Sequence, residues 1–202
     1  MITAPVTAPA DLEHDPRLAI PEPRRAQLLE IIGALRDARR VVLTTHVNAD
    51  GDGAGSEVAV AAWLEQTGRE VSIVNPSPFP EHLSFLLHRP DVVVDPGDPR
   101  LGEVLARADM ALVLDTSEPR RIAPLDEALA TVPTRVLDHH PPGPTVIGQG
   151  GVQDPTAAAA GELVYDLITL SGDPWPDASI LGVYVAIVSD TGSFRYSNTT
   201  PR

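Results

Sequence analysis

The 202-residue chain has no cysteine. That absence removes disulfide frameworks, thiolate zinc sites, iron–sulfur clusters and cysteine nucleophiles, and it leaves the redox compartment open. Positive charge is scarce as well: 15 Lys and Arg stand against 28 Asp and Glu, a formal net charge of −13. Nonspecific grip on nucleic acid comes from Lys and Arg displacing counterions from phosphates, so the composition argues against tracking along long polymers. An anionic substrate would need another source of positive charge. Long apolar runs are also missing. No stretch approaches the roughly 18 apolar residues of a membrane span, and the N-terminus shows neither a basic segment nor the continuous apolar core of a secretory signal. The expectation is a cytoplasmic protein with no membrane partner. Asn198-Thr199-Thr200 fits a glycosylation pattern, but without a secretory signal the match is read as chance.

What is present is alternation. About 200 residues suit one α/β domain. Residues 1–23 carry Pro5, Pro9, Pro16, Pro21 and Pro23 among Ala and Thr and read as a flexible extension outside the core. From Arg24 the spacing of Leu28, Leu29, Ile32 and Leu35 is helical, and it runs into the β-branched strand Val41–Thr45. Helix Ala54–Gln66, ended by Gly68, precedes strand Val71–Val74, a short apolar helix around Leu83–Leu87 and strand Val92–Val94. Helix Leu101–Ala108, strand Met110–Leu114, helix Leu125–Ala130 and strand Arg135–Leu137 follow. Ala157–Leu170 and Ala178–Val188 read as helices, although Val183–Val188 alone fits a strand. Apolar strands separated by helices predict a parallel sheet flanked by helices on both faces.

Ligands of open parallel sheets bind outside the carboxyl ends of the strands, and the unusual residues collect there. The first strand leads into His46-Val47-Asn48-Ala49-Asp50-Gly51-Asp52-Gly53, Met110–Leu114 ends at Asp115, and Arg135–Leu137 ends at Asp138-His139-His140. Taken singly, Asp115 reads as a turn or cap residue and His46 as a satisfied polar side chain. The Asp-His-His run is harder to dismiss, because three titratable groups at one buried strand end would cost several kcal/mol without partners. Carboxylate and imidazole delivered by three strand ends of one sheet point to metal.

The first loop also resembles three other motifs, and each fails. Asn48, Asp50, Asp52 and Gly53 match the start of an EF-hand, but its twelfth position is Ala59 where a bidentate Glu is required. Gly51, Gly53 and Gly55 lack the Gly-Lys-Ser/Thr of a phosphate cradle and the third glycine of a dinucleotide fingerprint. The remaining reading is a loop whose glycines allow sharp turns, leading into a helix N-terminus. Carboxylate and imidazole without sulfur suit manganese, magnesium or another first-row divalent ion. Asp50 and Asp52, either side of Gly51, could serve two neighbouring ions, the recurrent device for phosphoester hydrolysis. Two such ions also bring the positive charge that the composition lacks.

These residues resemble the DHH phosphoesterase family, named for the run seen here as Asp138-His139-His140. The likeness covers nearly all of residues 25–200 through four ordered blocks: Thr45–Asp52, Val113-Leu114-Asp115, Asp138-His139-His140 and Val188–Arg195. Within the family, His-x-Asn-x-Asp-Gly-Asp with Asp-Thr-Gly-Ser-Phe is most similar to the bacterial oligoribonucleases that are also 3′-phosphoadenosine-5′-phosphate phosphatases. The resemblance implies a site of two divalent ions, manganese first, with magnesium or cobalt as substitutes. It assigns His46 and Asp50 to one ion, Asp52, His139 and Asp190 to the other, and Asp115 to both. It also implies that Asp138 orients His139, that His140 faces the scissile phosphate, and that Arg195 and Asn198 touch substrate. The activity implied is hydrolysis of short oligonucleotides (nanoRNA), of 3′-phosphoadenosine-5′-phosphate or of both by a water that the two ions activate. The substrate is the expected partner, with a homodimer as a further possibility. Glu162 receives a structural reading, and His14, His82 and His88 match no motif.

Family members of this type continue through a linker into a smaller substrate-binding domain, so residues 24–202 are expected to be the metal-binding domain with that C-terminal domain missing. Two alternatives follow from the same residues. One is another reaction of the family, as a pyrophosphatase or a cyclic-dinucleotide or pApA phosphodiesterase. The other is a truncated module that binds metal or nucleotide without catalysis.

Overall fold

A computed structural model describes residues 18–201. The expected extension lies mostly outside the described residues, as does His14. Its last part differs from expectation, because α1 spans Glu22–Asp37 and Ile20 already packs against the core. Pro23 falls in the first turn, where a missing N–H leaves no bond unmade and the fixed φ suits a helix.

The seven helices are α1, α2 (Gly51–Gln66), α3 (Leu101–Arg107), α4 (Pro119–Ile122), α5 (Leu125–Leu129), α6 (Ala160–Ser171) and α7 (Asp177–Asp190), among the described residues. The strands are β1 (Arg40–Thr44), β2 (Glu70–Ile73), β3 (Met110–Leu114), β4 (Thr134–Asp138) and β5 (Gly151–Gln153). They form one parallel sheet in the order β2-β1-β3-β4-β5. The two-residue period of a strand splits its apolar residues between two cores. Val41, Leu43, Leu112, Leu114 and Leu137 pack with residues of α1, α2, α6 and α7. Val42, Ala111, Val113 and Val136 face the other way, onto Ile122, Leu125 and Leu129 with part of α3. The expected α/β fold, with helices on both faces, is what the chain adopts. Among the described residues no helix is long and apolar enough to cross a membrane.

Three elements differ from the sequence expectation. Val92–Val94 makes a single bridge, Val93 to Ile73, rather than a strand. Pro90 opens a short 3₁₀ turn there and Pro96-Gly97 follows, so the buried Val92 and Val94 contribute packing without a ladder. The apolar segment near Leu83 is likewise a 3₁₀ turn, Glu81–Leu86. Conversely, β5 has only one apolar residue, Val152, between Gly151 and Gln153 and gives no alternating signal. It pairs because Gly151, at φ +149°, lets its backbone approach Val136 where a Cβ would sit 2.1 Å from the carbonyl oxygen. Val183–Val188 is helical throughout, inside α7.

The glycines after His46 also act differently from expectation. They lie inside α2 and serve close packing rather than sharp turning. A Cβ on Gly51 would lie 2.6 Å from Ser189 Oγ, on Gly53 2.5 Å from Thr45 Oγ1, and on Gly55 2.5 Å from the Gly182 carbonyl oxygen. Gly182 is the reciprocal partner, since a Cβ there would lie 2.5 Å from the Gly55 carbonyl oxygen. This backbone contact seats α7, and with it Asp190, against the helix that carries Asp50 and Asp52. Gly55→Ala is expected to destabilise the protein by about 2 kcal/mol, because overpacking against backbone outweighs the helix propensity gained. Urea unfolding of the purified variant checks it, and an unchanged midpoint would show that the helices separate freely.

Candidate metal centre

In the order β2-β1-β3, the connection leaving β1 crosses to one edge and the chain after β3 goes to the other. The crevice between their carboxyl ends is therefore a topological switch point. The chain after β1 delivers His46 and, as the N-cap of α2, Asp50, whose Oδ1 accepts from the backbone N–H groups of Asp52 and Gly53. The same helix carries Asp52. Asp115 follows β3, His139 and His140 follow β4, and Asp190 is the last residue of α7.

Five of these side chains converge around a sixth, Asp115. His46 Nε2 lies 3.2 Å from Asp115 Oδ2 and 3.8 Å from Asp50 Oδ2. On the other side, His139 Nε2 lies 3.5 Å from Asp115 Oδ1, 3.6 Å from Asp52 Oδ2 and 3.4 Å from Asp190 Oδ2. Each oxygen of one carboxylate thus faces a separate donor group: His46 and Asp50, or His139, Asp52 and Asp190. Within the sets His46/Asp50/Asp115 and Asp52/His139/Asp190, the ligand atoms lie within 4.8 Å of one another. Asp115 adopts φ +59°, in the left-handed region that Asp and Asn tolerate better than most residues, and its N–H donates to the Leu137 carbonyl.

Two polar atoms here lack hydrogen bonds. Asp115 Oδ1 and His139 Nε2 are buried and face each other at 3.5 Å without one. Buried polar groups that make no hydrogen bond are costly, and a cation would complete them. His46 has its other nitrogen, Nδ1, 2.9 Å from the Val47 carbonyl, an arrangement that makes Nδ1–H the donor and frees Nε2 as a ligand. The donor set of carboxylates and imidazoles fits a pair of divalent ions.

Electrostatics agree with that fit. Burial opposes charge on His139, yet Asp115, Asp52 and Asp190 outweigh it and hold the imidazolium up to about 9. Burial would raise Asp115, but His139 and His46 dominate and hold it down at about 2. Asp52, fully buried and beside Asp115, is pushed well above the usual carboxylate range despite two backbone donors. Burial likewise raises Asp190. The cluster alternates charges that only approximately cancel, an arrangement that divalent cations replacing the protons would complete.

One residue takes a different position from that expected. Asp138 was expected to orient His139, but its Oδ1 accepts from the His140 backbone N–H at 3.0 Å and lies 2.9 Å from His140 Nδ1. A carboxylate two residues before a side chain closes a local turn around it, and here that side chain is His140. Asn198 was expected at the substrate. It is half-buried and donates from Nδ2 to the carbonyls of Ala158 at 2.9 Å and Asp190 at 3.1 Å, which ties the end of α7 to the start of α6. Arg195 is exposed, with Nε on the Gly192 carbonyl. Glu162 is structural as expected, bonded to Arg24 Nη1 and to the Ala158 N–H, and His82 and His88 are exposed or half-exposed.

Sequence reasoning missed the support of Asp52, whose Oδ2 accepts from Ala160 N–H at 2.7 Å and Oδ1 from Gly161 N–H at 2.9 Å. It also missed Glu57 and Asn75 behind His46. Asn75 Oδ1 accepts from the Thr45 N–H and its Nδ2 donates to Glu57 Oε2, both at 2.9 Å. A Glu in an apolar helix stretch was the one signal that pointed there.

Comparison with known proteins agrees with the motifs. The chain is 32% identical over 186 residues to the bifunctional oligoribonuclease and PAP phosphatase NrnA of Thermus thermophilus, covering 90% of this chain and 53% of that protein. It is 24% identical over 189 residues to the protein of the same name from Mycoplasma pneumoniae, covering 89% and 54%. The chain therefore spans about half the length of these relatives. The crystal structure of an exopolyphosphatase-related protein from Bacteroides fragilis superposes with a TM-score of 0.79 at 23% identity over 88% of this chain and 53% of that one, a likeness of fold. Residues 40–187 match the DHH family, N-terminal domain, and the chain belongs to that family.

Proposed function

We propose that the chain carries the catalytic centre of a manganese-dependent phosphoester hydrolase acting on short oligonucleotides, on 3′-phosphoadenosine-5′-phosphate or on both. The observation that carries this reading is the division of Asp115, one oxygen toward His46 and Asp50 and the other toward His139, Asp52 and Asp190, with neither Oδ1 nor His139 Nε2 making a hydrogen bond. His46 and Asp50 would hold one ion, His139, Asp52 and Asp190 the other, and Asp115 both. When bound, the ions supply Lewis acidity and the positive charge that an anionic substrate requires.

The remaining work falls to the chain. Two N–H groups at the start of α6 fix both oxygens of Asp52, so this carboxylate cannot rotate away as charge changes nearby. His140 Nδ1 is anchored on Asp138, and its side chain is 45% exposed, which leaves Nε2 available to hold or deliver a proton at a substrate oxygen. The relatives named oligoribonuclease and PAP phosphatase support the substrate class.

The test is a substrate panel with manganese, magnesium, cobalt or chelator. It contains pApA, a 5′-phosphorylated trinucleotide, 3′-phosphoadenosine-5′-phosphate, pyrophosphate and a cyclic dinucleotide. Metal-dependent release from the first three is expected, with chelator abolishing it. Two bound manganese ions per chain without turnover of any of them would replace this reading with that of a binding module, and turnover of pyrophosphate alone would move it to another reaction class.

A further inference from the structure

Arg121 is a half-buried arginine beside the metal centre that lacks an acceptor. Among the described residues its guanidinium makes no hydrogen bond and no ion pair, whereas its neighbour Arg120 is 84% exposed and paired with Glu118. Its backbone is held from two sides. The Arg121 carbonyl accepts from the Val47 N–H at 2.8 Å, which ties α4 to the segment carrying His46 and Asp50. The adjacent Ile122 is fully buried in the core on the far side of the sheet. Through the Val47 bond Arg121, half-buried, is tied to the residue next to His46. A cation whose backbone is tied beside His46, and whose side chain is bonded to none of the carboxylates of the site, has unused donors. Once divalent ions neutralise those carboxylates, the remaining attraction of Arg121 is toward an anion at the mouth of the site.

We infer that Arg121 binds a second phosphate of the substrate, the one that is not being hydrolysed, and so favours substrates with two phosphate groups over monophosphates. The inference rests on the phosphoester reading above for its substrate class. It explains how an acidic chain selects a short polyanion with one unpaired guanidinium rather than a basic surface.

The test compares wild type, Arg121→Ala and Arg121→Lys, each loaded with manganese, on 3′-phosphoadenosine-5′-phosphate and on 3′-AMP and 5′-AMP. For the bisphosphate, Arg121→Ala is expected to raise KM about tenfold to a hundredfold, the worth of a charge-assisted hydrogen bond. The monophosphates should change less than about threefold, and Arg121→Lys should recover part of the loss. Calorimetric binding of the same nucleotides is read in parallel. If wild type hydrolyses none of them, 3′-phosphoadenosine-5′-phosphate is removed from the hydrolase reading, while an Arg121-dependent preference in binding still upholds this one. Equal losses for bisphosphate and monophosphates, or no loss for either, overturn it. Unchanged manganese stoichiometry in the Ala variant separates substrate binding from damage to the metal centre.

Discussion

Asp115→Asn is expected to lower manganese-dependent turnover by roughly 10³ or more, beyond the tenfold to hundredfold that loss of an outer hydrogen-bond partner brings. Asn is the informative choice. Asp115 sits at φ +59°, and Asn accepts that conformation while Ala adds strain of about 1–2 kcal/mol that would blur the result. The substitution keeps the shape and the backbone bond to Leu137 and removes the shared charge between the His46 and His139 groups. Circular dichroism and the unfolding midpoint should stay close to wild type, and manganese stoichiometry should fall from two toward one. A purified Asn variant with near-normal turnover would remove Asp115 from the centre of the reaction.

The residue changed there is one of six whose place in the site is legible in the amino-acid order. His46, Asp50, Asp52, Asp115 and His139 follow the ends of β1, β3 and β4 and converge because parallel strands bring all their carboxyl ends to one edge, whereas Asp190, at the end of α7, reads from the residues alone as a helix cap and is assigned to the site only by the family resemblance. Chain direction is thus the link between sequence and site. What stayed illegible depends on packing. Gly51, Gly53 and Gly55 read as turn residues because glycine permits both sharp turning and close approach, and only the Gly182 carbonyl pressed on Gly55 decides between them. Asp138 could serve either imidazole of a His-His pair, and the turn after β4 decides for His140. β5 escaped because three residues around one Val carry no period, and its pairing rests on the conformation of Gly151. Arg121 and Asn75 match no motif, since their significance lies in which partners they have or lack.

Glu57→Gln is expected to stabilise the metal-free protein by an amount that grows with pH. Glu57 is fully buried on α2, with Oε2 on Asn75 and Oε1 without a partner. Burial pushes its carboxyl up from 4.5 to about 8, and the Asn75 donor and His46 only partly offset that. Between those values the folded chain holds a proton that the unfolded chain has released. Unfolding is then favoured progressively as pH rises, by about 1.4 kcal/mol for each pH unit from this one group. Wild type therefore loses at most about 5 kcal/mol between pH 4.5 and 8, and Gln, which cannot ionise, loses none of it. Urea melts at pH 5, 6.5 and 8 should show nearly equal midpoints at the lowest pH and a widening advantage for the variant above it. Parallel profiles would mean that the buried carboxyl is already ionised in the folded state. The Gln oxygen can still accept from Asn75, so the chain from Glu57 through Asn75 to the Thr45 N–H, which holds the residue before His46, survives the change. Turnover at neutral pH should persist for that reason. Manganese at the adjacent centre should narrow the gap, because positive charge near His46 and Asp115 favours the ionised form of Glu57 and removes part of the cost that the Gln variant avoids.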